Sequence, residues 1–263
     1  MSRCIRLLIG FDGTAYKGWQ RQSHAPTVQA TLEQGLSRIC GHGVTLHGAG
    51  RTDAGVHALG MVAHFQTTVT HPLRAFVKGV NSLIPADIRI LDAAEAHPSF
   101  HSRFDAVGKT YRYNCCTGPV QEPTTRLYEA HFPGPLDRQP IIACLKYLIG
   151  THDFSSFEAV GSRDPVAGGR GAVRTIHDAR FAQTGRNRYS FFFTGDGFLR
   201  HMVRNMVGTL ILAGRGTISP ARFAAILASR DRKQAGPTAP ACGLFLETVY
   251  YDRHTFPFRQ QQS

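Results

Sequence analysis

The sequence predicts an α/β (α+β) protein built from two ferredoxin-like β-α-β-β-α-β units joined into one mostly antiparallel sheet flanked by helices. Three observations lead there. Short β-like runs alternate with helical patterns over the first part of the chain, the same order then recurs, and 263 residues exceed the usual single core. The division is placed at residues 1–105 and 106–263.

The first element is the strand candidate Ile5 to Phe11. Thr27 to Cys40 follows as a helix, since Val28, Leu32, Leu36 and Ile39 keep the helical period and Thr27 can cap its start. Val44 to Leu46 reads as a short strand, Val56 to Thr68 as a longer one, Leu73 to Leu83 as a helix behind Pro72, and Ile88 to Leu91 as a strand. In the second half Lys109 to Cys116 is a strand candidate and Pro140 to Ile149 a helix. Val173 to Gln183 and Tyr189 to Thr194 form a hairpin turning at Gly185-Arg186-Asn187-Arg188. Leu199, Met202, Val203, Met206, Val207, Leu210 and Ile211 mark one face of a long helix, Pro220 to Ser229 is another, and Leu244 to Tyr250 closes the chain as a strand. Ser162 to Gly171 reads as an exposed loop and Gln260 to Ser263 as a frayed end.

Charge narrows the function. Thirty Lys+Arg against 18 Asp+Glu leave a net +12, and arginine, suited to bidentate phosphate contacts and to stacking on bases, dominates the basic set. A polyanionic partner is favoured over a charge excess that serves solubility alone. The six cysteines, at 4, 40, 115, 116, 144 and 242, include no C-x-x-C pair and no disulfide framework. Neither a membrane-length apolar run nor a signal-peptide pattern is present, so a cytoplasmic protein with reduced thiols and no membrane partner is expected. No metal is expected: the 13 histidines contain no ligand-spaced cluster, and His97 and His101, four apart but broken by Pro98, read as surface residues.

The most informative stretch is Gly48-Ala49-Gly50-Arg51-Thr52-Asp53-Ala54-Gly55-Val56-His57-Ala58. If it is extended, Arg51 and Asp53 point one way and Thr52 the other. An arginine beside the carboxylate favours its ionised form, which suits a nucleophile or a base better than a proton donor. The bland alternative is an ordinary Arg51–Asp53 salt bridge in a loop. Gly48-Ala49-Gly50 does not continue as a dinucleotide fingerprint, because Asp53 stands where the third glycine belongs, and no Walker loop occurs.

This run resembles the motif around the catalytic aspartate of the tRNA pseudouridine synthase A (TruA) family. The resemblance extends through Phe11-Asp12-Gly13-Thr14-Ala15-Tyr16-Lys17-Gly18-Trp19-Gln20, Lys109-Thr110-Tyr111-Arg112-Tyr113, Gly150-Thr151-His152-Asp153-Phe154, His201-Met202-Val203-Arg204-Asn205 and Ala239-Pro240-Ala241-Cys242-Gly243-Leu244. It implies the pseudouridine synthase fold, with Asp53 as nucleophile, Arg51 helping to extrude the target nucleotide, Arg204 pairing with the aspartate, and Tyr111 and Leu244 binding the substrate uracil. It also implies a homodimer that takes tRNA, needs no cofactor, and converts uridine to pseudouridine at positions 38, 39 and 40 of the anticodon stem-loop. The chain departs from the family pattern at Ala130, where tryptophan is common, and at Thr217, where lysine is common.

The residues carry separate arguments. Tyr111 alternates with Lys109 and Tyr113 on a strand, where a ring can stack on a flipped base or can simply be buried. Arg204 lies among apolar helix neighbours, where it either snorkels to the surface or needs a carboxylate partner. Leu244 by itself reads as core. Two other classes compete: a catalytically inert RNA-binding module, which gives Arg51 and Asp53 no role, and a glycosidase-like enzyme, which would release free uracil.

Overall fold

A computed structural model describes residues 2–161, 170–252 and 254–255. The loop reading of 162–171, except for its last two residues, and the reading of 260–263 therefore fall outside the described residues. The described residues divide into two compact units, one formed by 2–107 with Phe245–Tyr251, the other by 108–161, 170–244, 252 and 254–255.

In the first unit β1 (Arg3–Phe11) lies between β3 (His57–Thr67) and β4 (Ile88–Ala96), antiparallel to both. Its buried residues Ile5, Leu7 and Ile9 alternate along the strand, as a half-buried strand requires. The other edge of β3 is shared. Its C-terminal half takes β2 (His47–Gly48) antiparallel at His47↔His64, and its N-terminal end takes β10 (Leu244–Tyr250) parallel at Phe245↔His57. The order β4-β1-β3-β2 is that of the expected β-α-β-β-α-β unit.

Helix α1 (Val28–Cys40) starts at Thr27, whose hydroxyl accepts from the Ala30 N–H, and stops at Gly41 in the left-handed conformation, φ 70°. Val28, Leu32 and Leu36 are fully buried; at roughly 1.5–3 kcal/mol per buried side chain this stripe outweighs the modest helical propensity of the segment. The helix expected at 73–83 runs over 73–81 and widens into a π-helical turn at Ala75–Gly79, with Phe76 edge-on to Phe65. The strand expected at Val44 to Leu46 is displaced to His47–Gly48. The cause is local: side chains of α1 occupy both the N–H and the C=O of Leu46, leaving neither for a strand ladder.

In the second unit β5 (Gly108–Cys116), β9 (Arg188–Gly195), β8 (Val173–Gly185) and β7 (Gly150–Asp153) pair antiparallel in that order, and β6 (Ala130–His131) adds to β5 in parallel. The β8–β9 hairpin turns as expected, with Asn187 at φ 57°. Strands β6 and β7 have no counterpart in the sequence reading. Helix α2 (Arg138–Leu148) is capped by Asp137 and packs on α3 (Met202–Gly214) and α4 (Pro220–Ser229). The latter has Ser219 as cap and Pro220 in its first turn. The long helix begins at Met202 rather than near Leu199 because His201, at φ 62°, breaks the helical geometry. Among the described residues no helix is long and apolar enough to cross a membrane.

Candidate active site

The glycine-rich stretch of the first unit is an irregular loop held to a second loop, residues 13–20. Trp19 N–H donates to the Thr52 carbonyl at 3.1 Å, Gly55 N–H to the Tyr16 carbonyl at 3.3 Å, and Gly13 N–H to Nδ1 of the buried His57 at 3.1 Å. Two glycines permit this approach. A Cβ on Gly48 would lie 2.6 Å from the Trp19 ring, and one on Gly18, whose φ is 92°, would lie 2.5 Å from the Thr52 carbonyl oxygen.

Asp53 opens a tight turn closed by the bond from Val56 N–H to its own carbonyl, with Gly55 at φ 75°. Burial follows the expected alternation: Arg51 is exposed, Thr52 buried and Asp53 half-buried. The Thr52 hydroxyl, turned inward, has no hydrogen-bond partner among the described residues. Arg51 does not form the salt bridge of the bland alternative. Its Nε donates to Gln20 Oε1 at 3.1 Å, which leans the guanidinium toward the 13–20 loop.

The other expected site residues belong to the second unit. Tyr111 sits on β5 opposite Phe193 and is buried, with the Phe198 ring edge-on at 5.0 Å. Two residues along, Tyr113 is fully buried and donates its hydroxyl to the Pro240 carbonyl at 2.8 Å; burial pushes that phenol well above its ordinary pKa, so it remains a donor. Arg204, half-buried on α3, donates Nε to the Ala239 carbonyl at 2.8 Å, and Ala239 N–H returns a bond to the Arg204 carbonyl. Leu244, the first residue of β10, is buried.

Residues 235–243 thus form a strap laid along α3. Asn205, fully buried, anchors it by accepting from both Arg232 and Thr238, while its amide donates to the Phe157 carbonyl. Cys242 on this strap has its thiol pKa raised by burial, and Cys115 is raised to about 12 by burial and by Cys116, so neither offers a thiolate nucleophile. Among the described residues no group of three or more His, Cys, Asp or Glu side chains is arranged to hold a metal ion. The Gly-rich motif itself carries one carboxylate, that of half-buried Asp53, and one imidazole, that of buried His57, whose Nδ1 accepts from the Gly13 N–H.

A family pattern described as tRNA pseudouridine synthase matches residues 8–105 and 144–252, spanning both units. The chain belongs to the tRNA pseudouridine synthase family. It is 51% identical over 250 residues to tRNA pseudouridine synthase A 1 of Desulfotalea psychrophila, covering 95% of this chain and all of that one. It is 45% identical to tRNA pseudouridine synthase A of Pelobacter propionicus over 95% of this chain and all of that one, and 45% identical to that of Moorella thermoacetica over 94% and 99%.

Several residues that shape this synthase escaped the sequence reading. Gln29 and Glu33 are four apart on α1, a spacing that reads as a solvated helix pair, yet both are buried. Phe198, and the Arg232 and Thr238 side chains that donate to Asn205, gave no periodic signal. His101 was expected at the surface with His97; His97 is exposed, but His101 is half-buried and its ring meets those of His64 and His47 at 4.8 and 5.7 Å. The reason is that the 97–106 turn folds back on β2 and β3 through Ser102.

Proposed function

We propose that this pseudouridine synthase isomerises uridines at positions 38, 39 and 40 in the anticodon stem-loop of tRNA, with Asp53 as its catalytic carboxylate. The observation that carries the reading is the match of the family pattern to both units, with Asp53 at the head of a clamped turn inside it. The reaction breaks the bond from C1′ to N1, rotates the uracil, and joins C1′ to C5; C5 gives up its hydrogen as a proton and N1 takes one up, so the product is an isomer of uridine. No redox equivalent or energy source enters. Asp53 acts by attack on the ribose, by addition to the base, or by removal of a ribose proton; all three require an ionised carboxylate.

The target nucleotide must first leave its stack at a cost of a few kcal/mol. Phosphate contacts from a chain of net charge +12 offset that cost, and affinity for tRNA falls steeply as salt rises. In this reading Arg51 helps extrude the nucleotide, Tyr111 presents its ring to the flipped uracil, Arg204 pairs with Asp53, and Leu244 lines the pocket. The enzyme works as a cytoplasmic homodimer without a cofactor.

The test is release of tritium from C5-labelled uridine in unmodified tRNA, with mapping of the modified nucleotides, for the wild type and Asp53→Asn. The wild type releases label at the three positions, whereas Asp53→Asn keeps its melting temperature and tRNA affinity but loses turnover by more than about 10³-fold. Near-normal release by Asp53→Asn would remove the carboxylate from the mechanism, and free uracil in place of pseudouridine would make the enzyme a glycosidase.

A further inference from the structure

We propose that Gln29 and Glu33, one helical turn apart on α1, are positioning residues that fix both chain segments from which the Asp53 loop hangs. The inference rests on the reading of Asp53 given above.

Both side chains are buried, at 6% and 5% exposure, and every polar atom they carry is engaged. Gln29 Oε1 accepts from the Arg21 N–H at 2.9 Å, and its Nε2 donates to the Leu46 carbonyl at 2.9 Å and to Glu33 Oε1 at 3.2 Å. Glu33 Oε1 accepts from the Leu46 N–H at 2.9 Å and its Oε2 from Arg21 Nη1 at 2.8 Å. The backbone N–H of Gln29 donates to the Trp19 carbonyl at 3.0 Å, so the start of the helix is seated on the same segment. Two side chains therefore grip the 19–21 segment on one side and Leu46 on the other.

Each gripped segment passes directly into the loop. Trp19 N–H holds the Thr52 carbonyl, one residue before Asp53, and Leu46 leads through β2 into Gly50 and Arg51. Movement at either anchor is delivered to the carboxylate with little slack.

Stability does not account for the pair. A buried carboxylate whose cationic partner is 59% exposed gains little net energy over well-packed apolar side chains of the same volume. Apolar side chains cannot, however, hold the N–H and the C=O of Leu46 at fixed points. Fixing that register is what the polar pair adds.

The experiment measures single-turnover pseudouridine formation at saturating enzyme, tRNA affinity and melting temperature for Glu33→Ala, Glu33→Gln and Gln29→Leu, each well below its own melting point. Glu33→Ala and Gln29→Leu are expected to slow conversion of bound tRNA by about 100-fold, the cost of an ångström of misplacement, with affinity within about twofold. Glu33→Gln retains an oxygen for the Leu46 N–H and is expected to recover most of the rate. Rates for Gln29→Leu within about twofold of wild type, whatever its melting temperature, would assign the pair to stability alone and overturn the proposal. If Glu33→Ala fails to fold, Gln29→Leu and Glu33→Gln decide the matter. Asp53→Asn run in parallel separates the two readings: normal turnover there sinks the role of Asp53, while a silent Asp53→Asn beside a normal Gln29→Leu sinks only this one.

Discussion

Asp53 and Tyr111 are held in opposite ways. The aspartate stands in an irregular loop whose backbone bonds go to residues far away in sequence, Tyr16, Trp19 and Val62. The tyrosine stands in a nine-residue strand whose backbone pairs residue by residue with β9. A strand tolerates change at one position because its neighbours keep the register, whereas a loop fixed by a few distant contacts shifts when one of them fails. Disturbance near Asp53 is therefore expected to appear in turnover, and disturbance near Tyr111 in stability.

Gly18→Ala tests the first half of that contrast and carries the larger effect. The added Cβ would meet the Thr52 carbonyl oxygen at 2.5 Å in a backbone conformation, φ 92°, that side chains avoid. Relief requires the 13–20 loop and the Asp53 turn to part. The strain is about 1–3 kcal/mol, and a loop displaced by about an ångström slows conversion of bound tRNA by about 100-fold. Single-turnover kinetics beside a tRNA-binding isotherm give the answer; a variant that loses affinity and keeps its rate would show that the loop serves binding.

Tyr113→Phe tests the second half. It leaves the Pro240 carbonyl without its 2.8 Å hydrogen bond from a fully buried hydroxyl, an expected loss of about 1–2 kcal/mol in denaturant unfolding. The strap from 235 to 243 keeps its other anchors on Asn205 and Arg204, so turnover is expected to stay within about threefold of wild type. A large loss of rate with unchanged stability would reverse the contrast.

The same contrast explains what could be read in advance. Alternation along Ile5–Ile9, the helical stripe Val28–Leu32–Leu36 with Thr27 ahead of it, and the turn at Arg186-Asn187 are local signals, and each element stands where they place it. The Asp53 motif was legible because its glycines, base and acid are contiguous. The parts that were not legible depend on partners distant in sequence. Leu46 looks like strand until Gln29 and Glu33 take its backbone groups, Arg51 looks paired to Asp53 until Gln20 is found beside it, and His101 looks solvated until Ser102 turns the chain back onto β2.

Acid should separate the two regions by the smallest margin. His64 on β3 is buried with Nδ1 taken by the Ser102 N–H at 3.1 Å, and it faces the ring of His47 from β2 and that of His101 from the 97–106 turn. Burial, then the charges of His101 and His47, lower its pKa from 6.5 to about 4, with Asp105 opposing. Its unfolded form binds a proton that the folded form refuses between those values. The stability tied to neutral His64 is therefore complete above pH 6.5 and is lost progressively as the pH falls toward about 4. In the second unit His177 is also lowered by burial, but Asp196 opposes it. Chemical unfolding from pH 7 to pH 4 should show the slope flattened more by His64→Asn, whose amide oxygen can still accept from Ser102, than by His177→Asn. Equal flattening would mean that the histidine cluster beside the Asp53 loop carries no special acid sensitivity. A slope unchanged by His64→Asn would mean that the ring protonates in place without strain on β2.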